Sequence, residues 1–483
     1  MLDPDDWEDL RRLGHRMVDD VIDGCRTVRE TPVWQPVPPA VRERLNAPLP
    51  REALGPERAY AEFKQYVGPY PRGNTHPRFW GWVNGSGLPL GVFADMLASA
   101  MNASVSGFEC AATMVEEQVL DWLKEMLGFP ARTSALLTSG CSMSNIIGLA
   151  VARASKATCN VRRDGLWDAA PLALYASREA HSSIRKAVEL LGLGTSALRE
   201  IPVDHHFRMD VEALQSAIDA DRKNGVQPFC VVATAGTVNT GAVDHIERLA
   251  DACAAHALWL HVDGAFGALA WLCPELRPML TGLQRADSLA FDLHKWMYLP
   301  YDVGCSFVRD AQAHHDAFAL APTYLSRTAG GAASHPTSFA DRGIELTRRF
   351  RALKIWMALK AYGVAAFEQQ IRQNVEQAFY LADCVKEHPE LELMAPVSLN
   401  VVCFRYAVPG VGDEVLNSLN KELLTRLQMS GVALPSHTTL DGRFTLRAAN
   451  TNHRSERRDF DILVESVAKI GAELRMSLTL PSV

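Results

Sequence analysis

The chain has 483 residues, 48% of them hydrophobic and 22% charged, a composition that excludes disordered and collagen-like proteins and leaves room for two or three domains. Lysine and arginine number 49 against 56 aspartates and glutamates, a net charge of -7, so there is no cationic excess to neutralise a nucleic-acid backbone or an anionic membrane. The most apolar stretches, 88–101 and 233–241, are interrupted by polar residues well short of the roughly 20 residues of a membrane-spanning helix.

The opening Met-Leu-Asp-Pro-Asp-Asp-Trp-Glu-Asp is acidic where a secretory signal is basic and then apolar, which makes the cytoplasm the expected location. Ten scattered cysteines, with no Cys-x-x-Cys pair and no zinc-like spacing, read as reduced thiols, so neither disulfides nor a metal site is expected. Residues 4–25 read as an amphipathic helix with Asp3 as N-cap and Trp7, Leu10, Met17, Val18, Val21, Ile22 and Cys25 along one stripe. Six prolines between 31 and 50 keep the next stretch extended. Residues 1–75 thus form an N-terminal arm that docks either on a second subunit, giving a homodimer, or on its own chain.

From about residue 80 to 310, short apolar runs alternate with helical patterns. Strands are expected at 134–137, 172–175, 230–234, 259–262, 288–291 and 304–308, and helices near 146–155, 183–191, 211–220, 245–254 and 274–282. That repetition is the pattern of an α/β domain with a mostly parallel sheet and helices on both faces, in which ligands bind beyond the carboxyl ends of the strands. Small residues at 328–334 read as a mobile loop, a long helix is expected over 346–362, and 375–483 reads as a smaller α+β domain. The division expected is 1–75, 76–365 and 366–483.

Four local patterns carry chemistry. In Phe291-Asp292-Leu293-His294-Lys295-Trp296 a lysine follows a strand end, where partial desolvation lowers its pKa and offers a neutral amine; a snorkelling lysine at a sheet edge presents the same pattern. In Trp259-Leu260-His261-Val262-Asp263-Gly264-Ala265 a strand ends in an acid followed by small residues, suited to a cationic ring nitrogen with a flat group lying close, or to capping a helix. The polar loop Ser139-Gly140-Cys141-Ser142-Met143-Ser144-Asn145 precedes a helix and suits a phosphate monoester or a plain N-cap, and it lacks both dinucleotide and nucleoside-triphosphate fingerprints. His181, at another strand-to-helix turn, suits stacking on a ring or a structural role. A phosphate cradle, a histidine, a strand-end acid and a later lysine, in that order on an α/β sheet, are what pyridoxal phosphate (PLP) demands.

With these residues in place the chain resembles the group II PLP-dependent decarboxylases of the aromatic-L-amino-acid decarboxylase type, with the aminotransferase-like fold type I. The resemblance also runs through His76-Pro77-Arg78-Phe79, Asp121-Trp122-Leu123, Gly236-Thr237, Pro322-Thr323-Tyr324-Leu325 and Arg348-Arg349-Phe350-Arg351. It implies decarboxylation of an L-amino acid, aromatic first, to an amine and CO2. Lys295 would hold the cofactor as a Schiff base, Asp263 pair with its ring nitrogen and His181 stack on the ring. Gly140, Cys141 and Ser142 would cradle the phosphate beside His294, with Ala265 and Asp292 also lining the cofactor. Tyr324 matches the family's loop tyrosine, which implies that it returns a proton to Cα; members with phenylalanine there tend to be aldehyde synthases.

The chain also departs from the family. Asp292 stands where asparagine is common, and Thr347 replaces a glycine. Trp82, Val83 and Asn84 replace the animal enzymes' substrate-side residues, although Trp80 and Trp82 could sandwich an aromatic ring. The alternatives on this fold are an aminotransferase, with Arg447 as carboxylate clamp, and a decarboxylating aldehyde synthase.

Overall fold

A strand buried on both faces needs an unbroken apolar run, and the middle of this chain supplies them in series. In the computed structural model, which describes residues 2–167, 169–320 and 328–476, these runs build one seven-stranded sheet. In chain order the strands are β2 (Ser134–Thr138), β3 (Leu172–Ser177), β4 (Leu198–Ile201), β5 (Gln227–Thr234), β6 (Trp259–Asp263), β7 (Ser288–Asp292) and β8 (Gly304–Val308), following a short β1 (Phe79–Trp80) that belongs to a second sheet. Their spatial order is β2-β8-β7-β6-β5-β3-β4. Pairing is parallel from β4 through β3, β5 and β6 to β7, while β8 runs antiparallel to both β7 and β2. Two reversals leave β2 parallel to β7, so the carboxyl ends of β2, β3, β5, β6 and β7 share one edge. Every residue of β2, β3, β6, β7 and β8 is buried.

The described chain separates into two compact units, Val83–Phe379 with Ala395–Val402, and Met1–Trp82 with Tyr380–Met394 and Cys403–Val483. The first unit holds the seven-stranded sheet and its helices, including Pro89–Met101, Ala111–Met126, Cys141–Lys156 and Ser182–Leu190. The second sheet has the order β1-β11-β12-β10-β9, with β9 (Leu391–Leu393), β10 (Val401–Tyr406), β11 (Leu434–Leu440) and β12 (Arg443–Ala449). The N-terminal residues group with this C-terminal sheet: β1 pairs parallel with β11, and Arg29 reaches the buried Asp459 at 2.7 Å.

Several local expectations shift. The first helix runs Trp7–Thr27 and is capped by Asp6, whose carboxylate accepts from the Glu8 N–H at 2.7 Å, so Asp3 is not the cap. No α-helix forms over 274–282, where Pro274, Pro278 and Gly282 leave only the short 3-10 turn Arg277–Leu280. The edge strand β4 was not foreseen, because Leu-Arg-Glu-Ile sets two charged residues between its apolar ends and lacks a continuous apolar run. The long helix begins at Ala352 instead of 346 and breaks at Gly363 (φ 71°) before continuing to Glu387. Among the described residues none of the ten cysteines is in a disulfide, and no helix is long and apolar enough to cross a membrane.

One buried ion pair anchors the edge that carries β2. Arg348 Nη2 lies 2.5 Å from Glu116 Oε1 with both side chains at most 1% exposed. The same guanidinium donates to the carbonyls of Leu137 (2.6 Å) and Val105 (2.8 Å) and lies over the Phe339 ring. Burial pushes the Glu116 carboxyl up and Arg348 pulls it back. Removing one partner strands the other charge in a dry interior, so Glu116→Ala is expected to lower stability by about 3–5 kcal/mol in urea unfolding. A loss below about 1 kcal/mol would show that Arg348 is held by its carbonyl partners alone.

Candidate active site

Parallel strands deliver their last residues, and the loops after them, to one edge of the sheet. Asp263 is the last residue of β6 and Asp292 the last of β7, and Lys295 follows three residues later in a single helical turn, Leu293–Trp296. The loop after β2 carries Gly140 into the helix beginning at Cys141, and the turn after β3 carries His181 as N-cap of the helix Ser182–Leu190. Four segments far apart in the chain therefore meet because their strands share one sheet and end on the same edge of it.

Lys295 Nζ lies 3.0 Å from Asp292 Oδ2 and keeps a fifth of its side chain exposed. Burial alone would lower its pKa. The charge of Asp292 outweighs that, with Asp263 adding to it, so the pKa is raised and the ammonium is favoured. The neutral, desolvated amine expected from the sequence is thus not the resting form, because a carboxylate three residues earlier turns back onto it.

Asp292 is itself fully packed. Its Oδ1 accepts the Cys141 N–H at 2.6 Å, and its Oδ2 stands 3.7 Å from His294 Nε2. His294 accepts the Val303 N–H on Nδ1 at 3.1 Å, and burial moves its pKa down against the pull of Asp292. Ser142 is exposed beside this pair, whereas Cys141 is buried with its Sγ 3.4 Å from Asp263 Oδ1. Burial raises the Cys141 thiol well above its ordinary range, so it stays a neutral thiol.

Asp263 is met by three donors: the Ala265 N–H on Oδ1 at 3.1 Å, the Cys141 thiol on the same oxygen, and Asn145 Nδ2 on Oδ2 at 3.0 Å. The Asn145 contact fixes a whole chain of protons. A carboxylate only accepts, so Asn145 turns its amide N–H to Asp263 and its Oδ1 to His261 Nε2, 2.9 Å away. His261, held neutral by burial with a pKa of about 4, must then carry its proton on Nε2, and its Nδ1 accepts from the Ser288 hydroxyl at 2.7 Å. Trp259 Nε1–H donates to the same hydroxyl at 2.8 Å. Asn145 Nδ2 also reaches Ser183 Oγ at 3.0 Å, and that hydroxyl lies 2.8 Å from His181 Nδ1. His181 faces outward, and desolvation lowers its pKa against the pull of Asp263. Asn145, His261, Ser288, Ser183 and Trp259 received no role from the sequence. Their partners lie up to 118 residues away, and no local pattern announces them.

The substrate-side expectations divide. Val83 is buried and Asn84 accepts the Tyr301 hydroxyl at 2.7 Å, with the Tyr301 ring 4.6 Å from that of His294. The next residue explains their placement: a Cβ on Gly85 would fall 2.2 Å from the His294 carbonyl oxygen and 2.6 Å from that of Lys295, so only glycine lets this segment lie against the lysine turn. Trp82 belongs to the other unit, half exposed at φ 54°, with the Arg72 guanidinium 4.7 Å over its ring. Trp80 is wholly buried, stacked on Phe460 at 4.7 Å and donating to Ser455 Oγ. It is core, so the proposed aromatic sandwich loses one wall. Arg447 is also buried and donates to Ser436 Oγ at 2.8 Å. Tyr324 lies outside the described residues, and a surface hollow of about 920 Å³ near Arg162 and Asp316 contains none of the site residues.

Known proteins show the same arrangement of chain. The pyridoxal-dependent decarboxylase conserved domain matches residues 38–407. The aromatic-L-amino-acid decarboxylase of Bacillus atrophaeus is 34% identical over 477 residues, 97% of each chain. Tryptophan decarboxylase 1 of Oryza sativa subsp. japonica is 31% identical, covering 97% of this chain and 94% of the relative. The crystal structure of Oryza sativa TDC with PLP and tryptamine superimposes with a TM-score of 0.91 at 30% identity, over 98% of this chain and all of that one. With its fold type I architecture and the matched domain together, the chain belongs to the pyridoxal-dependent decarboxylases and is a PLP-dependent amino-acid decarboxylase.

Proposed function

We propose that the substrate is an aromatic L-amino acid, converted to its amine and CO2, and that the sheet-edge cluster of Asp263, Lys295, His181 and the Gly140–Ser142 turn carries the reaction. The observation that carries this reading is the convergence of an amine, an acceptor-only carboxylate and a helix N-terminus on one edge, the three partners PLP requires for its aldehyde, ring nitrogen and phosphate. When bound, PLP supplies an electron sink for the pair left behind as a bond to Cα breaks.

The protein's share is positioning and charge. Asp263, oriented by Asn145 and the Ala265 amide, presents a fixed negative charge to a cationic ring nitrogen. Lys295 is the covalent anchor, Ala265 leaves space for a flat ring, and His181, its Nδ1 held by the Ser183 N–H and hydroxyl, offers a ring face for stacking. Gly140, Cys141 and Ser142 form the phosphate cradle, with Asp292 and His294 beside it. Val83 and Asn84 line the substrate side. Which bond breaks follows from holding the carboxylate out of the ring plane in a site poor in water. The named aromatic-acid relatives support the substrate class.

The chain is further read as a cytoplasmic homodimer with no nucleic-acid or membrane partner. Trp7, Leu10 and Val21 on the first helix and Val92, Met96 and Met101 on Pro89–Met101 leave apolar faces open to a second copy. Ten cysteines outside any disulfide suit a reducing compartment.

Incubating the holoenzyme with a panel of L-amino acids and scoring CO2, amine, aldehyde and keto acid by mass spectrometry tests the substrate class. Tryptophan, tyrosine or another aromatic acid is expected to release amine and CO2 in equal amounts; release confined to acidic or aliphatic amino acids would refute the aromatic assignment. Tyr324 is proposed to return the proton to Cα. The Tyr324→Phe enzyme is expected to lose amine formation and gain aldehyde and peroxide under oxygen, whereas wild-type amine yield from it would remove that role.

A further inference from the structure

Asp292 closes the helix end at the proposed cofactor edge. The first N–H of the helix Cys141–Lys156, where half a positive charge awaits an anion, is already taken by its Oδ1 at 2.6 Å. The carboxylate has no room to withdraw. A Cβ on Gly304 would fall 2.8 Å from the same oxygen and one on Gly140 3.6 Å from it, so Asp292 is packed between β8 and the turn that leads into the helix. Among the described residues its cationic contact is the Lys295 ammonium at 3.0 Å. His294 stands 3.7 Å away with burial favouring its neutral form, and Cys141, His181 and Asp263 are the other titratable groups close enough to feel this charge or its neighbour.

A phosphate arriving at this helix terminus therefore meets a fixed carboxylate already seated there. Two anions sharing one desolvated site do not both keep their full charge; each raises the other's proton affinity, so the pair takes up a proton that it holds in common. We propose that Asp292 makes cofactor loading proton-linked: each cofactor bound draws one proton from solvent onto the pair formed by the Asp292 carboxylate and the phosphate. The O–H bond forms within that pair, between a carboxylate oxygen and a phosphate oxygen, and the proton comes from solvent. This inference rests on reading the Gly140–Ser142 turn as the phosphate cradle.

The sign follows from linkage. The bound state holds one more proton than the free state, so affinity falls as pH rises. The full-length apoprotein is titrated with PLP, and with pyridoxal, which lacks the phosphate, between pH 5.5 and 8.5 by tryptophan fluorescence, as wild type and as Asp292→Asn. The PLP dissociation constant of wild type divided by that of Asp292→Asn is expected to exceed one and to climb with pH toward about tenfold per unit, the slope of one linked proton. The same ratio for pyridoxal is expected to stay flat. A PLP ratio that does not change with pH, or tighter binding by wild type throughout, overturns the proposal. Asp292→Ser is the second carboxylate-free variant and must show the same climb. If PLP binds wild type and variants no more tightly than pyridoxal does, the phosphate-cradle reading falls, a failure distinguishable from loss of the pH slope alone.

Discussion

One ammonium among carboxylates organises this molecule's chemistry. Lys295 sits 3.0 Å from Asp292, at the same sheet edge as Asp263, in surroundings dry enough to raise a neighbouring thiol well above its ordinary range. Neither acid is tolerable there alone, since an unpaired charge in the interior costs several kcal/mol. The surrounding structure compensates with N–H donors: Cys141 to Asp292, Ala265 and Asn145 to Asp263. Asp292 favours the charged form of the lysine, and these donors hold both carboxylates in place beside it.

The topology makes this cluster affordable. Asp263 and Asp292 end adjacent parallel strands, so register alone brings their carboxyl groups to one edge, and β2, aligned by two antiparallel steps, brings the helix Cys141–Lys156 to the same place. Behind the edge, the proton chain Trp259, Ser288, His261, Asn145 has only one self-consistent direction once Asp263 is an acceptor. The helix accommodates His261 by carrying Gly148, where a Cβ would fall 2.7 Å from the imidazole. The Asp263 orientation is therefore set by packing three shells deep as well as by its nearest donors.

The buried strands were legible because parallel-sheet strands are continuous apolar runs, and six of them lie where those runs lie. Asp263 and Lys295 stood out because each follows such a run. The edge strand β4 escaped because its polar residues Arg199 and Glu200 interrupt the apolar signal, and the turn at Arg277–Leu280 was over-read because its apolar residues suggested a helix that its prolines forbid. Charge state was hidden too: desolvation of Lys295 is readable from its neighbours in sequence, whereas the turn of Asp292 back onto it is a property of backbone geometry. Asn145 and His261 are 116 residues apart, so their pairing exists only once β6 and the helix Cys141–Lys156 are packed. Trp80 and Trp82, alike in sequence, separate into core and surface because Trp82 leaves the strand at positive φ.

The central claim is that Lys295, and no other lysine, forms the covalent link to the cofactor. Reducing the PLP-loaded protein with borohydride, digesting it and mapping the pyridoxyl group by mass spectrometry tests this directly. The account predicts modification at Lys295 alone, lost in Lys295→Ala. A pyridoxyl group on a different lysine, such as the buried Lys354, or its persistence in Lys295→Ala, would contradict it.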